Sequence, residues 1–365
     1  MYRSTSTRAT QLLYLILAGV LLSGCAETKH IFRYVESDQQ KVWPLPPEPP
    51  RYQYVGLLTG EPNFVADSTA GFRQSLTKAF LWVAGVFGRE ERPLTLQRPQ
   101  TGVVDAAGRI LVTDVSRQAV YVFDTARGKF EVWEDAGTNT RFVAPIGIAI
   151  AADGSVLVAD AELGSVVRLD KSGKPLGRLG GGVLKRPSGL AYDPAKGWIY
   201  VADTHEHNLK VFDIEGRFIK LIGKRGEEPG TFNGPTHLAF VNNRLYVTDA
   251  LNARIQIFDN NGEFQTTFGR RGVYLGDMPH PKGVTSDAGG RIYVVESYYD
   301  HLLIYDEQGR FLLPIGGAGQ AIGEFNLPSG AWTDDRGLIY VSDMFNQRIV
   351  ILKYLDDQAP AAASK

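Results

Sequence analysis

The sequence predicts an all-β chain folded as a six-bladed β-propeller with four-stranded blades, and three observations carry that reading. The first is the stretch from Arg186 to Gly223. Four apolar runs there, Gly189 to Tyr192, Trp198 to Ala202, Leu209 to Phe212 and Phe218 to Ile222, are separated by turn residues at Asp193 to Gly197, Asp203-Thr204 and Glu215-Gly216. Short runs rich in Leu, Ile, Val, Tyr and Phe between such punctuators read as antiparallel strands. The second is recurrence: copies open on Pro99, Pro145, Pro187, Pro235, Pro281 and Pro328, at steps of 46, 42, 48, 46 and 47 residues, which makes the chain an array of six. The third is an acidic residue closing the second strand of each copy, at Asp114, Asp160, Asp203, Asp249, Glu296 and Asp343, with a bulky apolar residue nine positions later at Phe123, Leu169, Phe212, Phe258, Tyr305 and Leu352. One four-stranded sheet cannot bury both faces, whereas sheets of this size set radially about an axis cover one another.

The run P-x-G-x-A, D, G-x-[IL]-Y-V-[AT]-D, N-x-x-[IV]-x-[IV]-F-D, G resembles the NHL repeat over Arg98 to about Tyr354. The resemblance implies a propeller and fixes no function, since such propellers host binders and enzymes alike.

Residues 1–25 carry Arg3 and Arg8, an apolar run from Leu12 to Leu22, and Leu22-Ser23-Gly24-Cys25. A basic start, an apolar stretch too short for a comfortable membrane span, and small residues before a cysteine mark a targeting segment. It resembles a bacterial lipoprotein signal. That likeness implies acylation of Cys25 as the new N-terminus and a stable hold on a membrane. Ala26 after the cysteine implies, by the same analogy, the outer membrane, facing the periplasm or the cell surface. Cys25 is the only cysteine, so no disulfide can form within the chain. Residues 26–50, ending in Pro44 to Pro50 (PLPPEPP), read as a stiff extended spacer.

The propeller proper is expected over residues 51–357. Arg51 to Phe64 (RYQYVGLLTGEPNF) matches the fourth strand and exit loop of a blade, Arg217 to Phe232, while the sixth copy stops after its third strand, Arg348 to Lys353. The N-terminal strand is therefore expected to complete the last blade and remove an exposed edge. Residues 71–88 break the two-residue period, because Phe72, Leu76, Phe80, Val83 and Phe87 share a helical face, and they predict a short helical insertion. Trp82, Leu81 and Val86 lie off that face, which leaves contact with a membrane or partner open as an alternative to a covering helix. Residues 358–365 read as a frayed tail.

The recurring acidic residues tempt a reading as a ring of metal ligands. A group present in every copy serves the architecture, however, and a carboxylate at a strand end is suited to capping turn amides. Among the histidines, only His237 replaces the repeat glycine found at Gly147, Gly189, Gly283 and Gly330; His207 falls where the repeat pattern often has histidine; and His301 aligns with Asn208, Arg254 and Arg348. Peptidyl-amidating lyases, which are NHL-like, imply zinc held by three histidines, but no second histidine shares the offset of His237. Lactonase-type propellers imply a Glu/Asn/Asp cluster that these residues do not identify. No cofactor, phosphate loop or nucleophile motif is read, and a net charge of -1 speaks against a general nucleic-acid binder.

One feature breaks the repeat. Loops between blades carry Lys185-Arg186, Lys224-Arg225 and Arg270-Arg271, and they share a rim with second-to-third-strand loops bearing His205, His207, Asn252 and Arg254. With His237, this rim is the expected ligand-binding face, attracting a protein, an anionic polysaccharide or a lipid headgroup. A non-enzymatic binding or scaffold module is the reading the residues favour, and a metal-dependent lyase or lactonase is the alternative.

Overall fold

The computed structural model describes residues 30–66 and 92–355. The expected signal segment with Cys25, the helical insertion at 71–88 and the tail at 358–365 lie outside these residues. The chain divides into two compact units, Met1–Ile31 with Val65–Glu90, and Phe32–Phe64 with Glu91–Lys365. In the first, only His30, Ile31, Val65 and Ala66 are described, all in short strands. Everything below concerns the second.

The second unit contains six blades, and in the first five the strands run in sequence order. Blade 1 is Pro99–Val104, Ile110–Asp114, Ala119–Asp124 and Lys129–Trp133, and blade 2 is Pro145–Ile150, Val156–Asp160, Ser165–Leu169 and Pro175–Leu179. Blade 3 is Pro187–Asp193, Trp198–Asp203, Asn208–Phe212 and Phe218–Ile222. Blade 4 is Pro235–Val241, Arg244–Asp249, Arg254–Asp259 and Phe264–Phe268, and blade 5 is Pro281–Ser286, Ile292–Glu296, His301–Tyr305 and Phe311–Gly316. The second and third strands bury every residue in blade 1 and every residue but Trp198 in blade 3, while outermost strands such as Phe218–Ile222 keep exposed positions. This is the burial expected of a sheet sandwiched between neighbours with one edge outward.

Blade 6 is Ala331–Thr333, Leu338–Asp343 and Arg348–Tyr354, and its fourth strand is Tyr52–Leu58 from the N-terminal side. Ile349 pairs with Leu58, Ile351 with Gly56 and Tyr354 with Tyr52. The predicted closure is therefore present, and it ties both ends of the domain through a single sheet. Residues 42–50, expected to belong to an extended spacer, instead form a strand of this sheet and its connection to the next. Val42–Trp43 pairs antiparallel with Tyr52–Gln53 as a fifth strand, and Arg51 N donates to Trp43 O at 2.7 Å. Pro44 to Pro50 is thus a hairpin connection. What holds it is burial of Trp43, 8% exposed, against the blade 5–blade 6 core.

Each hydrophobic cluster joins the facing sides of two successive blades. Tyr200, Leu209 and Val211 of blade 3 meet Leu238, Leu245 and Phe258 of blade 4, and Val350 and Leu352 of blade 6 meet Tyr293 and Leu302 of blade 5. Full burial of one such side chain stabilises by roughly 1.5–3 kcal/mol. The innermost strands approach so closely that two glycines are sterically required. A Cβ on Gly147 would lie 2.3 Å from Ser188 O, and one on Gly189 would lie 2.5 Å from Thr236 O.

Candidate functional site

The six acidic residues are structural. Asp114 accepts from the backbone N–H groups of Gln97 (2.7 Å), Arg98 (2.9 Å), Ser116 (3.0 Å) and Arg117 (3.0 Å). It thereby pins the loop entering its blade to the turn after its second strand. Asp160 does the same for Val143, Ala144, Glu162 and Leu163, and Glu296 for His280, Tyr298 and Tyr299. A buried carboxylate satisfied by several amides is a capping device repeated once per blade.

Among the described residues, two cavities border the innermost strands. One, of about 250 Å³, is walled by the innermost strands, from Thr101 to Val104 round to Ala331 to Thr333. The other, of about 260 Å³, lies at the start of those strands and is bordered by Gln100, Thr236, Arg271, His280 and Lys282. His237 borders both. Where four blades have glycine, its imidazole stands between the cavities, and neither ring nitrogen has a hydrogen-bond partner among the described residues. Burial, with a contribution from Lys282, pushes its pKa down to about 3, so the ring is neutral. Burial and then Arg98 push Lys282 down as well. No group of three or more His, Cys, Asp or Glu that could hold a metal occurs among the described residues.

The expected rim residues are dispersed in role. Arg186 Nη1 is 2.9 Å from Glu162 Oε1 and Arg270 Nε is 2.7 Å from Asp277 Oδ1, so their charges are locally balanced. Arg254 is 2.8 Å from the buried Asp249. His207 Nδ1 accepts from Gly234 N at 2.9 Å, which gives that ring a loop-joining task, and His205 is exposed beside Glu206. Lys185, Lys224, Arg225 and Arg271 are exposed, and Arg271 Nη2 donates to Leu251 O at 3.1 Å. Of the expected rim cations, Arg186, Arg254 and Arg270 are thus ion-paired, while Lys185, Lys224, Arg225 and Arg271 face solvent.

Sequence reasoning missed the apolar groups on this same face. Val273, Tyr274 and Leu275 are 76%, 73% and 62% exposed on the loop entering blade 5, and Leu251, Tyr298 and Phe345 are also exposed on loops of blades 4 to 6. Tyr298 stacks on His280 at 5.7 Å, and Arg98 lies over Phe345 at 5.8 Å. Aligning the three long entry loops by residue would have found the first of these, since Val273-Tyr274-Leu275 stands where Glu227-Glu228-Pro229 and Gln320-Ala321-Ile322 stand. Lys282 could have been found in the same way: the residue after the opening proline is Gln100, Ile146, Ser188, Thr236 and Ser329 elsewhere.

A family model described as a 6-bladed beta-propeller matches residues 284–357, and the NHL repeat model matches residues 184–212. No curated protein matches the chain. Among solved structures, virginiamycin B lyase from Staphylococcus aureus is 16% identical with a TM-score of 0.52, over 71% of this chain and 95% of that one. An auxiliary nutrient binding protein from Bacteroides ovatus is 14% identical with a TM-score of 0.56, over 72% and 70%. A gluconolactonase from Xanthomonas campestris is 18% identical with a TM-score of 0.53, over 71% and 87%. At these identities the likeness is one of fold, shared by binding proteins and enzymes.

Proposed function

We propose, for a chain that is a six-bladed β-propeller with NHL repeats, that it is a non-enzymatic binding module whose entry-loop face docks a partner protein over blades 4 to 6. We propose further that acyl chains on Cys25 hold it at the cell envelope, in the outer membrane, a reading that rests on the sequence of residues 1–25. The observation that carries the docking reading is the exposed crest Val273-Tyr274-Leu275, joined on the same face by Leu251, Tyr298 and Phe345. Exposed apolar side chains clustered beside polar and charged groups are what protein interfaces bury. Arg271 and the neighbouring exposed cations favour acidic groups on the partner's rim.

Replacing Val273 and Leu275 by aspartate tests this in the full chain, with mild crosslinking in envelope extract. Both positions are exposed, so the expected outcome is an unchanged unfolding temperature and loss of a specific protein crosslink. Persistence of that crosslink in the variant, or recovery of only acidic polysaccharide or lipid, overturns the proposal.

A further inference from the structure

Blades 4, 5 and 6 are entered by loops of equal length, Gly223 to Gly234, Gly269 to His280 and Gly316 to Leu327, each ending before the opening proline. Their backbones make equivalent bonds. Thr231 N donates to Glu228 O (3.0 Å), Asp277 N to Tyr274 O (2.9 Å) and Glu324 N to Ala321 O (3.1 Å). Phe232, Met278 and Phe325 likewise donate to Lys224, Arg270 and Gly317.

In blades 4 and 6 an arginine opening the third strand braces this loop. Arg254 donates to Asp249 Oδ2 (2.8 Å) and to the carbonyls of Glu227 (2.6 Å), Glu228 (3.1 Å) and Thr231 (3.0 Å). Arg348 repeats the set on Asp343 Oδ2 (2.7 Å), Gln320 (2.8 Å), Ala321 (3.1 Å) and Glu324 (3.0 Å). Asn252 and Asn346 add bonds to Gly226 O and Gly319 O.

Blade 5 keeps the acceptors and lacks the donors. Glu296 stands for the aspartate, Tyr299 for the asparagine and His301 for the arginine, and the carbonyls in the equivalent places belong to Val273, Tyr274 and Asp277. Glu296 is 1% exposed and has no ion pair within 4.0 Å among the described residues. Between the loop and the strand lies a cavity of about 280 Å³ bordered by Val273, Tyr274, Glu296, Tyr299, His301 and Leu303.

We infer that this cavity is a guanidinium receptor, in which an arginine side chain of the partner protein takes the place that Arg254 and Arg348 fill from within the chain. The inference rests on the docking reading above and names what the crest holds. A planar fork of N–H donors suits a carboxylate set beside several carbonyls, whereas an ammonium is a compact point charge that matches the arrangement less well. Arg270, on the same loop, is already paired with Asp277. The exposed Val273-Tyr274-Leu275 shoulder gives a protein something to cover, which favours an arginine on a protein surface over the free amino acid.

Calorimetric titration of the full chain with L-argininamide tests the receptor, with L-lysinamide as the comparison. Saturable binding is expected, at least about tenfold tighter than for L-lysinamide, and His301→Arg abolishes it without lowering the unfolding temperature, because the variant restores the arrangement of blades 4 and 6. Should His301→Arg fold poorly, Glu296→Gln serves instead, and a folded variant that no longer binds supports the same conclusion. Absent binding, equal binding of L-lysinamide, or binding retained in a folded variant overturns the inference. Argininamide binding alongside crosslinks that survive the Val273 and Leu275 substitutions would sink the docking reading and leave the receptor standing.

Discussion

Blades 4 and 6 brace their entry loops with their own arginines, whereas blade 5 presents the same loop over a cavity. The backbone is common to all three, so the difference lies in a few side chains at matched positions. In a repeated architecture the shared residue reports what the fold requires, and the place where it is missing reports what one copy does in addition. The braced loops carry Glu227-Glu228 and Gln320-Ala321 at the tip, while the unbraced one carries Val273-Tyr274. The loss of the internal arginine and the gain of an exposed apolar tip fall in the same copy, which is the basis for assigning recognition to blade 5.

The largest effect is expected from breaking a brace. Arg348→Met leaves Asp343, fully buried, without its cation and removes the arginine's bonds to three loop carbonyls, of which Ala321 O keeps the Glu324 amide. A loss of about 3–5 kcal/mol in urea unfolding is expected. The matched change in blade 5, His301→Met, breaks no such pair and is expected to cost less than about 1 kcal/mol. Equal losses would mean that blade 5 is braced in some other way. A smaller effect sharpens the contrast. Asn346→Ala removes the bonds to Gly319 O and Asp343 and is expected to cost about 1 kcal/mol. Tyr299→Asn, which introduces into blade 5 the amide that Asn252 and Asn346 supply to loop carbonyls in blades 4 and 6, is expected to weaken argininamide binding by competing for a loop carbonyl.

The fold was legible because strand periodicity and six aligned copies state the same answer independently. Closure was legible because Arg51 to Phe64 resembles a blade's last strand, whereas the Val42–Trp43 strand was not, since two paired residues leave no periodic trace and a proline run reads as extended chain. The role of the acidic residues followed from their presence in every copy. Which rim charges are paired was not legible because pairing is tertiary: Arg186 finds Glu162 in the preceding blade, and Arg270 finds Asp277 seven residues on, across a loop whose bend the sequence does not state. The alignment of His301 with Arg254 and Arg348 was visible from the start. What those arginines hold was not, since loop carbonyls carry no sequence signature.

Amide hydrogen exchange of the full chain tests the difference between the blades most directly, read at Thr231 and Phe232, Asp277 and Met278, and Glu324 and Phe325. The account predicts faster exchange at Asp277 and Met278 than at the other two pairs, and slowing to their level when L-argininamide is added or His301 is changed to arginine. Equal protection of all three loops in the free protein would contradict it.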